Sequence, residues 1–305
     1  MERLLKDIID KNKHLVDKGK VASYIPALNK ANPNHIGISI IDKEEKIFSA
    51  GDYGVKFTIQ SISKVLALIV AVTELGEEYV FQKVGYNGSE NSFNNITNID
   101  NPNTKYPTNP MINAGAIVVT SLIEGSGEEK FNKILNLTRV ITGNMKIDYN
   151  REVYLSEKET GDRNRAIAYL MKSKDMIHGN VEEVLNAYFK QCSIEIDTLD
   201  LAKIGFFIAN GCKSLRDNKY ISSDKMTSLL LSIMTNCGMY DYSGEYSIKV
   251  GIPSKSGVAG GLLASARNKF GIGIYSPVLD NNGNPLVGIA IMEDLSHELD
   301  LSLFH

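Results

Sequence analysis

The sequence predicts an α+β fold in which an antiparallel sheet drawn from both chain ends brackets a large helical insert. Strand-like runs rich in β-branched and aromatic residues lie near the start, at Ile36 to Ile41 and Lys46 to Ser49. More lie near the end, at Tyr246 to Ile252, Gly261 to Arg267, Phe270 to Tyr275 and Leu286 to Ile291. The middle carries apolar residues at helical spacing. No internal repeat or low-complexity linker divides the 305 residues, which are 43% hydrophobic and 23% charged, an ordinary globular composition.

The charged turn Asp42 to Glu45 makes the first two runs a hairpin. Helices are expected over about 61–75, 113–123, 128–142, 157–172, 181–190, 198–210 and 223–236. Ser156-x-x-Glu159 and Asn180-x-x-Glu183 both fit a capping box. The turn Asp280 to Asn284 leads into the last strand, and Asp294 to Phe304 reads as a helix closing against the sheet. Residues 1–305 then form a single domain with a sheet-containing lobe (about 20–60 and 240–305) and a helical lobe (about 61–239). A cleft between lobes is the usual place for a small-molecule site.

Composition excludes several classes of function. The net charge of −3 has both signs interspersed, and the mildly basic stretch Lys11 to Lys20 is interrupted by Asp17 and reads as a solvated helix face, so nucleic acid is not an expected partner. The longest apolar run, Val65 to Val72, is far short of the ~20 residues that span a bilayer. The N-terminus lacks the apolar segment of a signal peptide, and Cys192, Cys212 and Cys237 read as buried, reduced thiols, so a cytoplasmic location is expected. The five histidines fall in no metal-ligand or nucleophile-elbow spacing, and no metal is expected.

The chemistry concentrates at Ser61-Ile-Ser-Lys64, which opens an apolar helix. A spacing of three puts both side chains on one face, one turn apart. Serine needs a base to act as a nucleophile, and lysine serves only if its pKa falls by roughly 3 units. Burial, the positive end of the helix dipole and a second lysine nearby would each push that way. The pattern alone is weak, since Ser222-Ser-Asp-Lys225 has the same spelling and reads as an ordinary N-cap of a surface helix. Context separates the two: Lys255-Ser-Gly257 follows among strands, and S-x-x-K early with K-[ST]-G late is the layout of β-lactamases and penicillin-binding proteins. The third element of that layout, S-D-N, is missing.

Seven ordered segments sharpen the match. They are Tyr24-Ile-Pro-Ala-Leu28, Phe57-Thr-Ile-Gln-Ser-Ile-Ser-Lys64, Asn109-Pro-Met-Ile-Asn-Ala-Gly-Ala-Ile117, and Ser156-Glu157 with Asn164-Arg-Ala-Ile-Ala168. Tyr188-Phe-Lys-Gln-Cys-Ser193, Cys237-Gly-Met-Tyr-Asp-Tyr-Ser-Gly244 and Lys255-Ser-Gly-Val-Ala-Gly-Gly261 complete the set. From about Tyr24 to Asp294 the chain resembles the serine-dependent glutaminases, which share the β-lactamase/penicillin-binding-protein-like fold. The resemblance implies a cofactor-free hydrolase that converts L-glutamine to L-glutamate and ammonia through an acyl-enzyme. It also implies a homo-oligomer, dimer or tetramer. Ser61 would be the nucleophile, Lys64 its base and Tyr240 the proton relay to the leaving ammonia. Tyr24, Asn113, Glu157, Asn164, Tyr188 and Tyr240 would line the substrate site, and backbone amides of Ser61 and Val258 would form the oxyanion hole.

Residue chemistry agrees, because an ammonium wants one acid and the rest of glutamine wants neutral donors and acceptors. Glu157 and Asn164 are seven apart, so on one helix about 10.5 Å would separate their backbones. They converge only through side-chain reach, or if the helix begins after Glu157. Each residue also has a plain structural role available: Glu157 as a first-turn acid, Asn113 as a helix cap, Asn164 on a solvated face, Tyr188 and Tyr240 in packing, and Gly257, Gly260 and Gly261 easing a crowded strand entry. One departure stands out. Residues 85–94 lack the Glu-Pro pair usual in the family, which affects the rigidity of that loop but no mapped site residue. Two rivals are weighed: the missing signal-peptide segment argues against a β-lactam-hydrolysing or peptidase relative, and the intact Ser61, Lys64 and Tyr240 set argues against a binding or sensor protein that has lost turnover.

Overall fold

The computed structural model describes residues 1–88, 97–101, 103–213 and 223–304. The chain opens with α1 (Glu2–Asn12), β1 (Lys20–Val21), the hairpin β2 (Gly37–Asp42) and β3 (Ile47–Gly51), and β4 (Phe57–Thr58). The helical stretch follows: α2 (Ser63–Leu75), α3 (Glu77–Phe81), α4 (Thr97–Asp100), α5 (Asn113–Leu122), α6 (Gly127–Thr142), α7 (Arg151–Thr160), α8 (Asp162–Ser173) and α9 (Val181–Cys192). After β5 (Glu195–Ile196) come α10 (Thr198–Ala209), α11 (Asp224–Cys237) and α12 (Ser243–Lys249). The chain finishes with β6 (Ser254–Ser256), β7 (Gly261–Ala266), β8 (Phe270–Tyr275), β9 (Val278–Leu279) and α13 (Leu286–Leu299).

The five-stranded sheet runs β3-β2-β8-β7-β6, with every pair antiparallel, and it draws on both chain ends. The alternation in Phe270-Gly-Ile-Gly-Ile-Tyr275 explains its two covers. Ile272 and Ile274 join Ile38 and Ile40 in a core shared with α1 and α13. On the other face Gly271 and Gly273 let α10 lie directly on the sheet: a Cβ at Gly271 would meet the Phe206 nitrogen at 2.0 Å, and one at Gly273 the Thr198 oxygen at 2.3 Å. A second core around α2 gathers residues of α5, α6, α10 and α11. No described helix is long and apolar enough to cross a membrane.

Five expectations need correcting. Tyr246 to Ile252 is no strand: residues 243–249 are helical, because helical spacing buries Tyr246 and Val250 while leaving Ile248 85% exposed. Leu286 to Ile291 belongs to α13, which begins at the Pro285 cap and ends at Leu299, so the separate helix over 294–304 does not exist. A short apolar run cannot distinguish a buried strand from a buried helix. The helix expected over 157–172 is two, α7 and α8, broken at Gly161. Ser156 therefore lies inside α7, whose cap is Asn150, accepting from the Val153 amide. Asn180 does cap α9, accepting from the amides of Glu182 and Glu183. A capping box at Ser126 and Glu129, unread in the sequence, starts α6. Ser222 lies outside the described residues, as do residues 89–94 of the divergent loop; the cap of α11 is Ser223.

Candidate active site

Ser61 does not start the α-helix as expected. It sits one turn earlier, in a 3-10 turn over Gln60–Ile62, with Gln60 at φ +47°. Lys64 is the second residue of α2, whose residues Ser63 to Ala71 are all buried. Its amine donates to the Met111 carbonyl (3.0 Å) and to Asn113 Oδ1 (2.7 Å). Burial pulls the Lys64 pKa down to about 8, against the smaller opposing pulls of Cys192 and Glu157. The loop before α5 is shaped by Asn109, whose Oδ1 accepts from the amides of Met111 and Ile112. Asn113 caps nothing: Ile112 holds that position, and the Asn113 side chain instead links Lys64 to Asn164, donating to Asn164 Oδ1 at 2.9 Å.

Ser61, Tyr24, Asn113, Glu157, Asn164 and Tyr188 line one cavity of about 280 Å³. The Gly161 break resolves the distance problem posed by a single helix. Glu157 is in the last turn of α7, which removes the first-turn-acid reading, and Asn164 is in the first turn of α8. Glu157 Oε2 is buried with no hydrogen-bond partner. Burial raises the Glu157 pKa to about 8, with Lys64 and a bond from Gln60 opposing. Tyr24 is 57% exposed, at the mouth. Lys64, Tyr240 and Val258 are not among the cavity's lining residues. Lys64 reaches it through Asn113, and Tyr240 through a hydrogen bond with Ser61.

Tyr240 opens a 3-10 turn with its backbone at φ +58°, and its hydroxyl also donates to the Ser256 carbonyl (3.4 Å). Burial raises its pKa to about 12, so the phenol holds its proton across the neutral range. The Lys-Ser-Gly strand β6 is what this turn packs on. At Gly257 a Cβ would meet the Ile59 carbonyl at 2.5 Å, so the glycine lets the strand end abut the Ser61 turn. The turn beyond is closed by the Gly257 amide to the Gly261 oxygen and the Gly260 amide to the Gly257 oxygen; neither bond uses the amide of Val258.

Sequence reasoning missed Gln60 and Cys192, which line the cavity, and Lys255. Gln60, Cys192 and Lys255 all stand inside the matching segments, so the signal was present but was assigned to their neighbours. Lys255 is fully buried, donates to the carbonyls of Gly238 (2.9 Å) and Ser256 (2.7 Å), and lies 4.1 Å from the Tyr240 ring centroid. Burial, then the Lys64 charge, hold its pKa well below the usual lysine range. The Cys192 thiol is pushed up by burial, then by Glu157, and stays a thiol; Cys212 and Cys237 are likewise free and buried.

Ser61 thus lies at a small polar cavity, one turn before a buried lysine whose pKa is lowered by burial. The chain belongs to the glutaminase family: the glutaminase family model matches residues 19–304. A glutaminase of Clostridioides difficile (strain 630) is 51% identical over 304 residues, covering 99% of this chain and 98% of the relative. "Glutaminase 2" of Clostridium perfringens (strain 13 / Type A) is 49% identical over 305 residues, covering all of both chains. Among solved structures, the covalent complex between a Bacillus subtilis glutaminase and 5-oxo-L-norleucine, formed by reaction with 6-diazo-5-oxo-L-norleucine, superposes with a TM-score of 0.89 at 35% identity, covering 99% of each chain.

Proposed function

We propose that the chain hydrolyses L-glutamine to L-glutamate and ammonia with Ser61 as nucleophile and Lys64 as its base. The hydrogen bonding of the buried amine carries this reading. A neutral amine has two N–H bonds and one lone pair. Donation to Met111 and Asn113 occupies both hydrogens and leaves the lone pair to take the Ser61 proton. Ser61 Oγ attacks the side-chain amide carbon, and the N–H groups of Ser61 and Val258 hold the oxyanion. Tyr240 gives its proton to the amide nitrogen as the C–N bond breaks, and recovers one from Lys64. Water then attacks the glutamyl ester with the same groups acting in reverse, releasing glutamate. No step needs a metal or cofactor.

Glu157 binds the substrate ammonium, which supplies the donor that Oε2 lacks. Asn113, Asn164, Tyr188 and Tyr24 take the carboxylate and amide. Reaction of the Bacillus subtilis relative with a diazoketone analogue of glutamine supports a covalent route. We further read residues 1–305 as one catalytic domain of β-lactamase-like type, its sheet and helical lobes meeting at this cavity. The free, buried cysteines support a cytoplasmic enzyme of glutamine breakdown. On family grounds it assembles as a dimer or tetramer. The test is ammonia and glutamate release from glutamine with asparagine as control. Shortening the substrate by one methylene strands a polar group, so asparagine should lose at least about 100-fold in kcat/KM. Glu157→Gln should raise KM more than it lowers kcat; equal use of both amino acids would contradict the reading.

A further inference from the structure

The turn that carries Tyr240 is held in a conformation its own sequence does not favour, and the groups that hold it trace to one buried side chain far along the chain. Tyr240 has a positive φ without being a glycine, asparagine or aspartate, a backbone state that persists only where the surroundings impose it. Locally, Ser243 clamps the turn, its hydroxyl accepting from the Met239 amide (3.1 Å) and donating to the Tyr240 carbonyl (2.8 Å). The outward restraint is Asn284, at the end of the Asp280 turn and fully buried. Its Nδ2 donates to the Met239 carbonyl (3.3 Å) and its Oδ1 accepts from the Ser256 hydroxyl (2.6 Å). The orientation of the amide is fixed, because a backbone carbonyl only accepts. Asn284 is fixed in turn by the Asp280 carboxylate, which accepts from the Asn282 and Asn284 amides (both 2.9 Å).

We propose that Asn284 is a positioning residue for Tyr240, tying the tyrosine turn to the Lys-Ser-Gly strand so that the phenol meets Ser61 and the Ser256 carbonyl together. The proposal rests on the reading of Tyr240 as proton relay. Asn284 touches neither the cavity nor the reacting atoms. It bonds one residue before Tyr240 on one side, and on the other the residue whose carbonyl receives both the Tyr240 hydroxyl and the Lys255 amine. Removing the amide frees the Met239 carbonyl and the Ser256 hydroxyl at once, and the turn is free to relax away from its positive φ. The phenol then loses its alignment while the ammonium and carboxylate contacts on the helical wall stay in place.

The test is a double-mutant cycle between Asn284→Ala and Tyr240→Phe, reading kcat and KM for glutamine, with melting curves to establish folding. Asn284→Ala should lower kcat by about tenfold or more with KM changed less than about threefold, and should cost little further in the Tyr240→Phe background, because groups acting as a unit are non-additive. If Asn284→Ala fails to fold, Ser256→Ala breaks the same link from its other end and should show the same pattern, while Ser256→Thr keeps the hydroxyl and should restore kcat. Equal losses in both backgrounds, or a loss carried by KM, would overturn the positioning role alone. Wild-type kcat in Tyr240→Phe would overturn the relay reading and the positioning role with it.

Discussion

Ser61–Lys64 and Ser222–Lys225 share a spelling, and both lysines occupy the second position of an α-helix, α2 and α11. The helix dipole therefore acts alike on the two amines and does not separate them. Burial does. Lys64 is 1% exposed on a helix whose first nine residues are all buried, and its pKa falls to about 8. The Lys225 side chain is 77% exposed and lies 2.9 Å from Glu77, whose hydrogen bond and charge raise its pKa. A lysine becomes a base where the fold denies its charge both water and a close carboxylate partner. Glu157 tempers the effect at Lys64 without cancelling it, since burial raises the carboxyl pKa as well.

The largest expected contrast is catalytic. Lys64→Ala and Ser61→Ala should each lower kcat by about a thousandfold or more, and the double mutant should be little worse. Lys225→Ala should leave kcat and KM at wild-type values. A Lys64→Ala enzyme that kept a tenth of wild-type kcat would erase the distinction between the two copies.

A smaller effect lies in the pH dependence. Lys64 acts deprotonated and Glu157 binds an ammonium when ionised, so both require high pH, and kcat/KM should rise through about pH 8. The Glu157 carboxylate favours the charged form of Lys64, so Glu157→Gln should move the rising limb to lower pH. A limb displaced to higher pH would contradict that coupling.

Stability should show the smallest contrast, and its sign is informative. The folded pKa of Lys64 lies below its unfolded value, so the charged amine costs stability below about pH 8, and that cost is relieved as pH rises toward 10.5. Lys64→Met should accordingly stabilise the fold at pH 7 by about 1 to 3 kcal/mol, less the cost of leaving the Met111 and Asn113 acceptors unmatched. Lys225→Ala should leave the melting midpoint where it is. Destabilisation by Lys64→Met that persists at pH 7 would mean the amine is held by its hydrogen bonds more than it is opposed by burial.

The same contrast explains what was legible in the sequence. The hairpin β2–β3, the strands β7 and β8 and most middle helices were legible from short β-rich runs and from longer apolar stretches at helical spacing. Leu286 to Ile291 misled because a helix buried on a sheet shows no polar stripe, and Tyr246 to Ile252 misled because alternation there is accidental to a helix that leaves Ile248 in solvent. The site residues came from motif and resemblance, and six of them meet at one cavity. Their geometry was not legible: the Gly161 break that brings Glu157 beside Asn164 has no periodic signature. The support of the Tyr240 turn by Asn284 and Ser256 joins positions remote in sequence through single hydrogen bonds.

The most direct measurement is covalent trapping. An electrophilic glutamine analogue with a diazoketone in place of the amide is attacked by the nucleophile itself and stays attached. Intact-mass spectrometry should show a single adduct per chain, and peptide mapping should place it on Ser61. Glutamine should protect, and Lys64→Ala should slow labelling where Lys225→Ala does not. Labelling of Ser222, or of Cys192, Cys212 or Cys237 with Ser61 untouched, would contradict Ser61 as the nucleophile and burial as the feature that sets the two copies apart.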